Sequence, residues 1–188
     1  NLYLNMALTY STMLELGTRI PDFKLKNVLN DNWYHSSNLS NSKPSLVMII
    51  CNHCPYVVHY HSELQKLQKE FSSQIDFVAI SSNDVISHPQ DGPEEMVKLF
   101  NNLNLIFPYL YDETQEVARL FKAECTPEFY LFSNQDKLVY RGRLDESSPR
   151  NGIEVSGSDL RDAMNNLLTN KPISKHQYPS MGCNIKWK

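Results

Sequence analysis

The chain has no apolar stretch able to cross a bilayer: its longest run, Leu46–Ile50, falls far short of the roughly 20 residues a spanning helix needs. It does not open on a positively charged segment followed by an apolar one, so export is not expected. An excess of positive charge is also missing. Eighteen Lys and Arg against 21 Asp and Glu leave a formal net charge of −3, which lacks the basic footprint of a nucleic-acid or anionic-membrane partner. There is no internal repeat and no low-complexity tract. Cysteine is sparse, at four residues, and without a secretory signal such a set does not read as a disulfide framework. In a reducing compartment it reads as catalytic or metal-binding. These absences point to a cytoplasmic protein with no membrane or nucleic-acid partner and no cofactor.

What remains is ordinary for a globular chain: 188 residues, 41% hydrophobic and 21% charged, enough to bury a core without staples. Asn1–Asn5 ahead of Met6 read as an artificial extension, leaving residues 6–188 as a single domain. A short N-terminal hairpin is expected from Phe23–Val28 and Trp33–Tyr34, turning at Asn30-Asp31-Asn32. Leu46–Ile50 suits a strand buried on both faces. A helix follows, its apolar stripe Val57, Tyr60, Leu64, Leu67 and Phe71 backed by a polar face of His59, Glu63, Lys66 and Glu70.

Ile75–Ile80 is a second buried strand. A polar loop then runs to Gly92, and Pro93 opens a helix facing inward through Met96, Val97, Phe100 and Leu103. Phe107–Tyr111 is extended. Asp112 and Gln115 stand in capping-box spacing before a helix with Val117, Leu120 and Phe121. Phe129–Phe132 and Leu138–Arg141 form a hairpin, Asp145–Arg150 a solvated loop, and Ser158 caps a last helix ending before Pro172. The tail from Lys171 has no periodicity. The sum is an α/β fold, a central mixed sheet with helices on both faces, an N-terminal hairpin extension and an irregular C-terminal tail.

Chemistry concentrates between the first buried strand and its helix, in Cys51-Asn52-His53-Cys54-Pro55. Carried back from Val57, the helical stripe turns Cys54 toward the core and leaves Cys51 just ahead of the first turn. Unpaired amides and the helix dipole favour an anion there. An exposed, acidified Cys51 would attack, and a sheltered Cys54 would close the disulfide. His53, inside the motif, is expected to stabilise the Cys51 thiolate and to make the pair more oxidising than thioredoxin's.

The second signal is Thr126-Pro127-Glu128-Phe129-Tyr130-Leu131-Phe132. Together with Cys51-x-x-Cys54 it resembles the thioredoxin superfamily. The resemblance implies a cis Pro127 beside the cysteines and a Thr126–Pro127 pair alongside which a substrate backbone can lie. The chain is more closely similar to thioredoxin-like redoxins of the alkyl hydroperoxide reductase/thiol-specific antioxidant (AhpC/TSA) family. The matching segments are Leu16-Gly17-Thr18 with Pro21-Asp22-Phe23, the cysteine motif, Phe107–Asp112, Val139–Arg143 and Gly182–Trp187. This implies a thiol–disulfide oxidoreductase whose partners are a disulfide-bearing protein or small molecule and an unidentified thiol reductant.

Departures from the relatives sharpen that reading. Thioredoxin proper carries Trp and Gly-Pro where this chain has Ile50, Asn52 and His53, and its buried acid is replaced by Ser45. A peroxiredoxin's Thr, three residues before its reacting cysteine, is here Cys51, and the Cys125–Phe132 segment holds no Arg. A thiol-dependent peroxidase, an antioxidant role, is therefore the alternative reading. A metal-binding module using Cys51, Cys54, His59 and His61 is a lesser one, since residues two apart on a helix diverge by about 200°. Cys125 and Cys183 are possible accessory thiols, the first expected to be buried and inert, the second a bystander in the tail.

Overall fold

The computed structural model describes residues 8–39 and 42–188; the expected extension Asn1–Asn5 and start at Met6 lie outside them. The centre is β4 (Ser45–Ile49), every residue of which is buried. Its apolar residues alternate between two packing layers. Leu46 and Met48 join a core with Leu64, Leu67, Phe100 and Met164, whereas Val47 and Ile49 join one with Val117, Phe121 and Phe132. Burying each such side chain contributes about 1.5–3 kcal/mol, so neither face of the strand can be given to solvent.

Around β4 lie β5 (Asp76–Ser81), parallel to it, and β8 (Glu128–Phe132), antiparallel, with registers Ile49↔Ile80 and Ile49↔Glu128. Beyond β5 come β6 (Tyr109–Tyr111) and the expected hairpin of β2 (Lys24–Asn27) and β3 (Trp33–His35); beyond β8 comes β9 (Leu138–Gly142). This seven-stranded mixed sheet runs β3-β2-β6-β5-β4-β8-β9. Helices α1 (Pro55–Val58), α2 (His61–Phe71), α3 (Pro93–Leu103) and α5 (Ser158–Leu168) pack on one face; α4 (Glu116–Leu120) covers the other. No helix among the described residues is long and apolar enough to cross a membrane.

The structure corrects the sequence expectations at several points. The helix expected as one piece after the cysteines breaks at His59–Tyr60, where Tyr60 turns to φ −99°, ψ 1° and its amide bonds to Val57 O at 2.9 Å. The tightened turn coincides with two tethers, His59 Nε2 to Ser147 Oγ at 2.9 Å and Tyr60 Oη to Ser147 O at 2.8 Å. Glu63, assigned to the polar face, is buried because Arg161 of α5 reaches across and pairs with it. Leu120, assigned to an apolar face, is half exposed.

Asp145–Ser148 is not a solvated loop. Asp145 is buried and accepts hydrogen bonds from the amides of Ser147, Ser156 and Gly157, which organises the start of α5; Gly157, not Ser158, is the N-cap. The C-terminal tail, finally, contains β10 (Met181–Asn184). This strand lies between β7 (Cys125–Thr126) and β1 (Leu8–Tyr10) in a separate three-stranded sheet. Four residues with no periodicity give no strand signal; pairing on both sides makes the strand.

Candidate active site

Backbone pairing carries β4 to the edge of the site, since Ile50 N still bonds to Ile80 O at 3.0 Å. The chain then crosses Cys51-Asn52-His53-Cys54 to α1, which opens on Pro55, a residue with no N–H to leave unpaired. Cys54 is the N-cap, at φ −63°, ψ 122°. The helix therefore begins later than expected, and Cys54 rather than Cys51 occupies its mouth.

Neither thiol is exposed: Cys51 retains 1% of its surface and Cys54 none, against the expectation of an open Cys51. Cys51 Sγ lies 3.4 Å from Thr126 Oγ1, and Cys54 Sγ lies 3.4 Å from the Thr126 carbonyl oxygen. The two sulfurs are also near enough to shift each other's ionisation. Thr126–Pro127 is cis, as the resemblance implies, and both residues are buried.

Burial pushes the Cys51 thiol up, and the neighbouring Cys54 thiol and the buried carboxylate of Asp91 push it further. Burial also opposes ionisation of Cys54, but its polar neighbours outweigh that. The neighbouring thiols of Cys183 and Cys51, the Thr126 side chain and the Val57 amide pull Cys54 below the ordinary thiol range. A sulfur at a helix mouth with several polar neighbours is a favourable place for a thiolate, and Cys54 occupies it.

Asp91 is the residue that sequence reasoning missed. It sits fully buried at the end of the polar loop before α3. Its Oδ1 accepts from the amides of Asn52, at 2.8 Å, and His53, at 3.2 Å. Its Oδ2 pairs with His53 Nδ1 at 2.5 Å and accepts from Asn83 Nδ2 at 2.9 Å. Burial alone would raise its pKa, but these partners, His53 foremost, hold it below the usual carboxylate value. Asn52 is tied further by its side chain to Gln90 O and by Tyr109 Oη, and His88 stacks on the His53 ring. His53 thus pairs with a carboxylate and forms part of a clamp on the loop, while one of its ring nitrogens stays within 4.8 Å of Cys51 Sγ. No sequence spacing links Asp91 to the motif; only the fold brings them together.

Cys51, His53 and Asp91 offer ligand atoms within 4.8 Å of one another, the one such grouping among the described residues. His59 and His61, expected as partners in a metal site with the cysteines, are not in it. The other two thiols part company. Cys125 is buried, its Sγ directed to Glu128 Oε1 and Ser180 O, and burial with the Glu128 carboxylate pushes it up. Cys183, assigned to an irregular tail, stands on β10 opposite Thr126 and next to Cys54. Beside these strands a cleft of about 290 Å³ reaches Pro127 between Tyr10, Tyr60, Arg143 and Met181.

Against known proteins, the AhpC/TSA family model matches residues 16–141. No curated protein matches the chain. Among solved structures it is 46% identical to an uncharacterized conserved protein from Geobacillus kaustophilus, over 98% of each chain, with a TM-score of 0.95. It is 38% identical to a hypothetical protein from Sinorhizobium meliloti 1021, over 96% of this chain and 98% of that one, TM-score 0.92. A secreted disulfide oxidoreductase from Mycobacterium tuberculosis, homologous to E. coli DsbE, is 14% identical over 77% of this chain and 96% of its own, TM-score 0.60. Likeness at that identity carries the fold alone, and the fold is the thioredoxin fold.

Proposed function

The chain belongs to the AhpC/TSA family of redoxins, and from that premise we propose that it is a thiol–disulfide oxidoreductase cycling Cys51 and Cys54 between dithiol and disulfide. The observation that carries this reading is the contact of two buried thiols at the mouth of α1, both against Thr126 of the cis Thr126–Pro127 pair. In the reduced form Cys54 holds the negative charge. Its thiolate attacks a substrate disulfide, one substrate sulfur leaves as thiolate, and a mixed disulfide forms on Cys54. Cys51 then gives up its proton and attacks Cys54 Sγ, closing Cys51–Cys54 and releasing the second substrate thiol. The attacking and resolving roles are thus exchanged relative to those read from the sequence. The substrates are disulfides of proteins or small molecules in a cytoplasmic setting, and a thiol reductant returns the pair to the dithiol.

Trapping tests the assignment. With Cys183 also replaced by Ser, Cys51→Ser should accumulate a mixed disulfide on Cys54, whereas Cys54→Ser alone should lose turnover altogether. Undiminished disulfide reduction by Cys54→Ser would remove it from the chemistry. One observation favours a second reading, thiol peroxidase: a thiolate at a helix mouth with a hydrogen-bond donor three residues before it is also what a peroxide needs. Cys51 fills that donor's place here, and peroxide-dependent oxidation of an added thiol separates the two activities.

A further inference from the structure

The strand β10 lies where a bound substrate backbone is expected to lie. It pairs antiparallel with β7, Cys183 opposite Thr126 and Asn184 opposite Cys125. The approach is close enough that a Cβ on Gly182 would stand 1.9 Å from Thr126 O. β1 pairs along the other edge of β10, Leu8 opposite Cys183, and β10 packs against α1. Successive strand residues face opposite sides, and here it is Cys183 that turns inward. Its thiol is buried in the same cluster as Cys51 and Cys54, close enough to Cys54 that each thiol shifts the other's ionisation. Cys54 therefore has two thiol neighbours, Cys51 on its own loop and Cys183 on the strand across it. The family match ends at residue 141, well before β10, so nothing in that match assigns this thiol a role.

We propose that Cys183 is a third redox thiol, and that Cys54 is shared between two disulfides, Cys51–Cys54 and Cys54–Cys183, which interconvert within one chain. The inference rests on the redox role of Cys51 and Cys54 and extends it. In the exchange, the Cys183 thiolate attacks Cys54 Sγ of the Cys51–Cys54 disulfide. The Cys54–Cys183 bond forms, the Cys51–Cys54 bond breaks, and Cys51 leaves as thiolate and takes up the proton that Cys183 gave up. No electrons enter or leave. The strand acts as a built-in disulfide partner, placing the oxidising equivalent on the tail, at the edge where the cleft beside Met181 opens.

The test uses the full chain and oxidised glutathione as oxidant. Wild-type protein is oxidised by one disulfide, quenched in acid, denatured and labelled with a maleimide, and the labelled peptides are identified by mass. The expected result is label shared between Cys51 and Cys183 and absent from Cys54. Label on Cys183 with none on Cys51 overturns the exchange. Two variants add a readout that separates the layers of the argument. Cys51→Ser should still lose the mass of two hydrogens by forming Cys54–Cys183; a glutathione adduct that persists on Cys54 would overturn the inference alone. Cys183→Ser should still form Cys51–Cys54; its failure to do so, or label on Cys54 in the wild type, would overturn the functional reading itself.

Discussion

Asp91 receives two backbone amides, one imidazole and one carboxamide on its two oxygens, in a position without solvent. Donors aimed at a buried carboxylate lose their partner all at once when it is removed, and an uncompensated buried group is costly. Asp91→Ala should therefore lower unfolding free energy by about 3–5 kcal/mol, read from denaturant midpoints. Asp91→Asn, which keeps an acceptor for the amides, should fall between the two. The same substitution removes the negative charge that raises the Cys51 thiol, so Cys51 in Asp91→Asn should alkylate faster than in the wild type. Because the Asp91 pKa is depressed on folding, its contribution is present above the ordinary carboxylate value of 3.8 and is lost as pH falls below it. A wild-type midpoint in Asp91→Ala would show that the clamp contributes nothing.

At the scale of elements, the site is a junction of three pieces: the end of β4, the mouth of α1, and the β7–β10 pair. The first two follow from local sequence. The third depends on a backbone contact so close that only glycine fits at position 182, where a Cβ would meet Thr126 O at 1.9 Å. A backbone atom cannot swing aside as a side chain would, so Gly182→Ala should lift β10 from β7. The expected result is a lower melting temperature together with faster alkylation of Cys51 and Cys54, thiols that β10 helps to cover. An unchanged alkylation rate in a destabilised Gly182→Ala protein would mean that β10 does not shield the pair.

Across the whole molecule, the reduced and oxidised forms should respond differently to pH. With Cys54 held ionised by folding, the reduced protein binds fewer protons at this group than its unfolded chain does. That contribution is present above the ordinary thiol pKa of 9.0 and is lost as pH falls toward the depressed value in the folded protein. Cys51, raised on folding, contributes below 9.0 and loses its contribution as pH rises above that. The disulfide form has neither group. The difference in melting temperature, reduced minus oxidised, should therefore grow as pH rises toward 9.0 and shrink beyond it. A difference that does not change with pH below that value would contradict an ionised Cys54.

Local pattern was enough to find β4, the stripe Val57, Tyr60, Leu64, Leu67 and Phe71, and the paired cysteines, because each rests on short-range periodicity or a fixed spacing, whereas the Thr126–Pro127 pair ahead of β8 was found through the family resemblance. All five stripe residues are buried even though the helix carrying them breaks in two, since packing of one face survives a tightened turn. Tertiary structure alone decided where the charge sits. Glu63 is buried because α5 brings Arg161 to it, and Asp145 is buried because the start of α5 supplies amides. Asp91 reaches the cysteine loop from the end of a polar segment with no periodic signal. The reading that Cys54 rather than Cys51 carries the charge follows from its neighbours, and one of them, Cys183, arrives from a strand that exists only through its pairing with β1 and β7. Periodicity reports which face of an element meets apolar matter; which groups meet across long sequence separations is settled by packing.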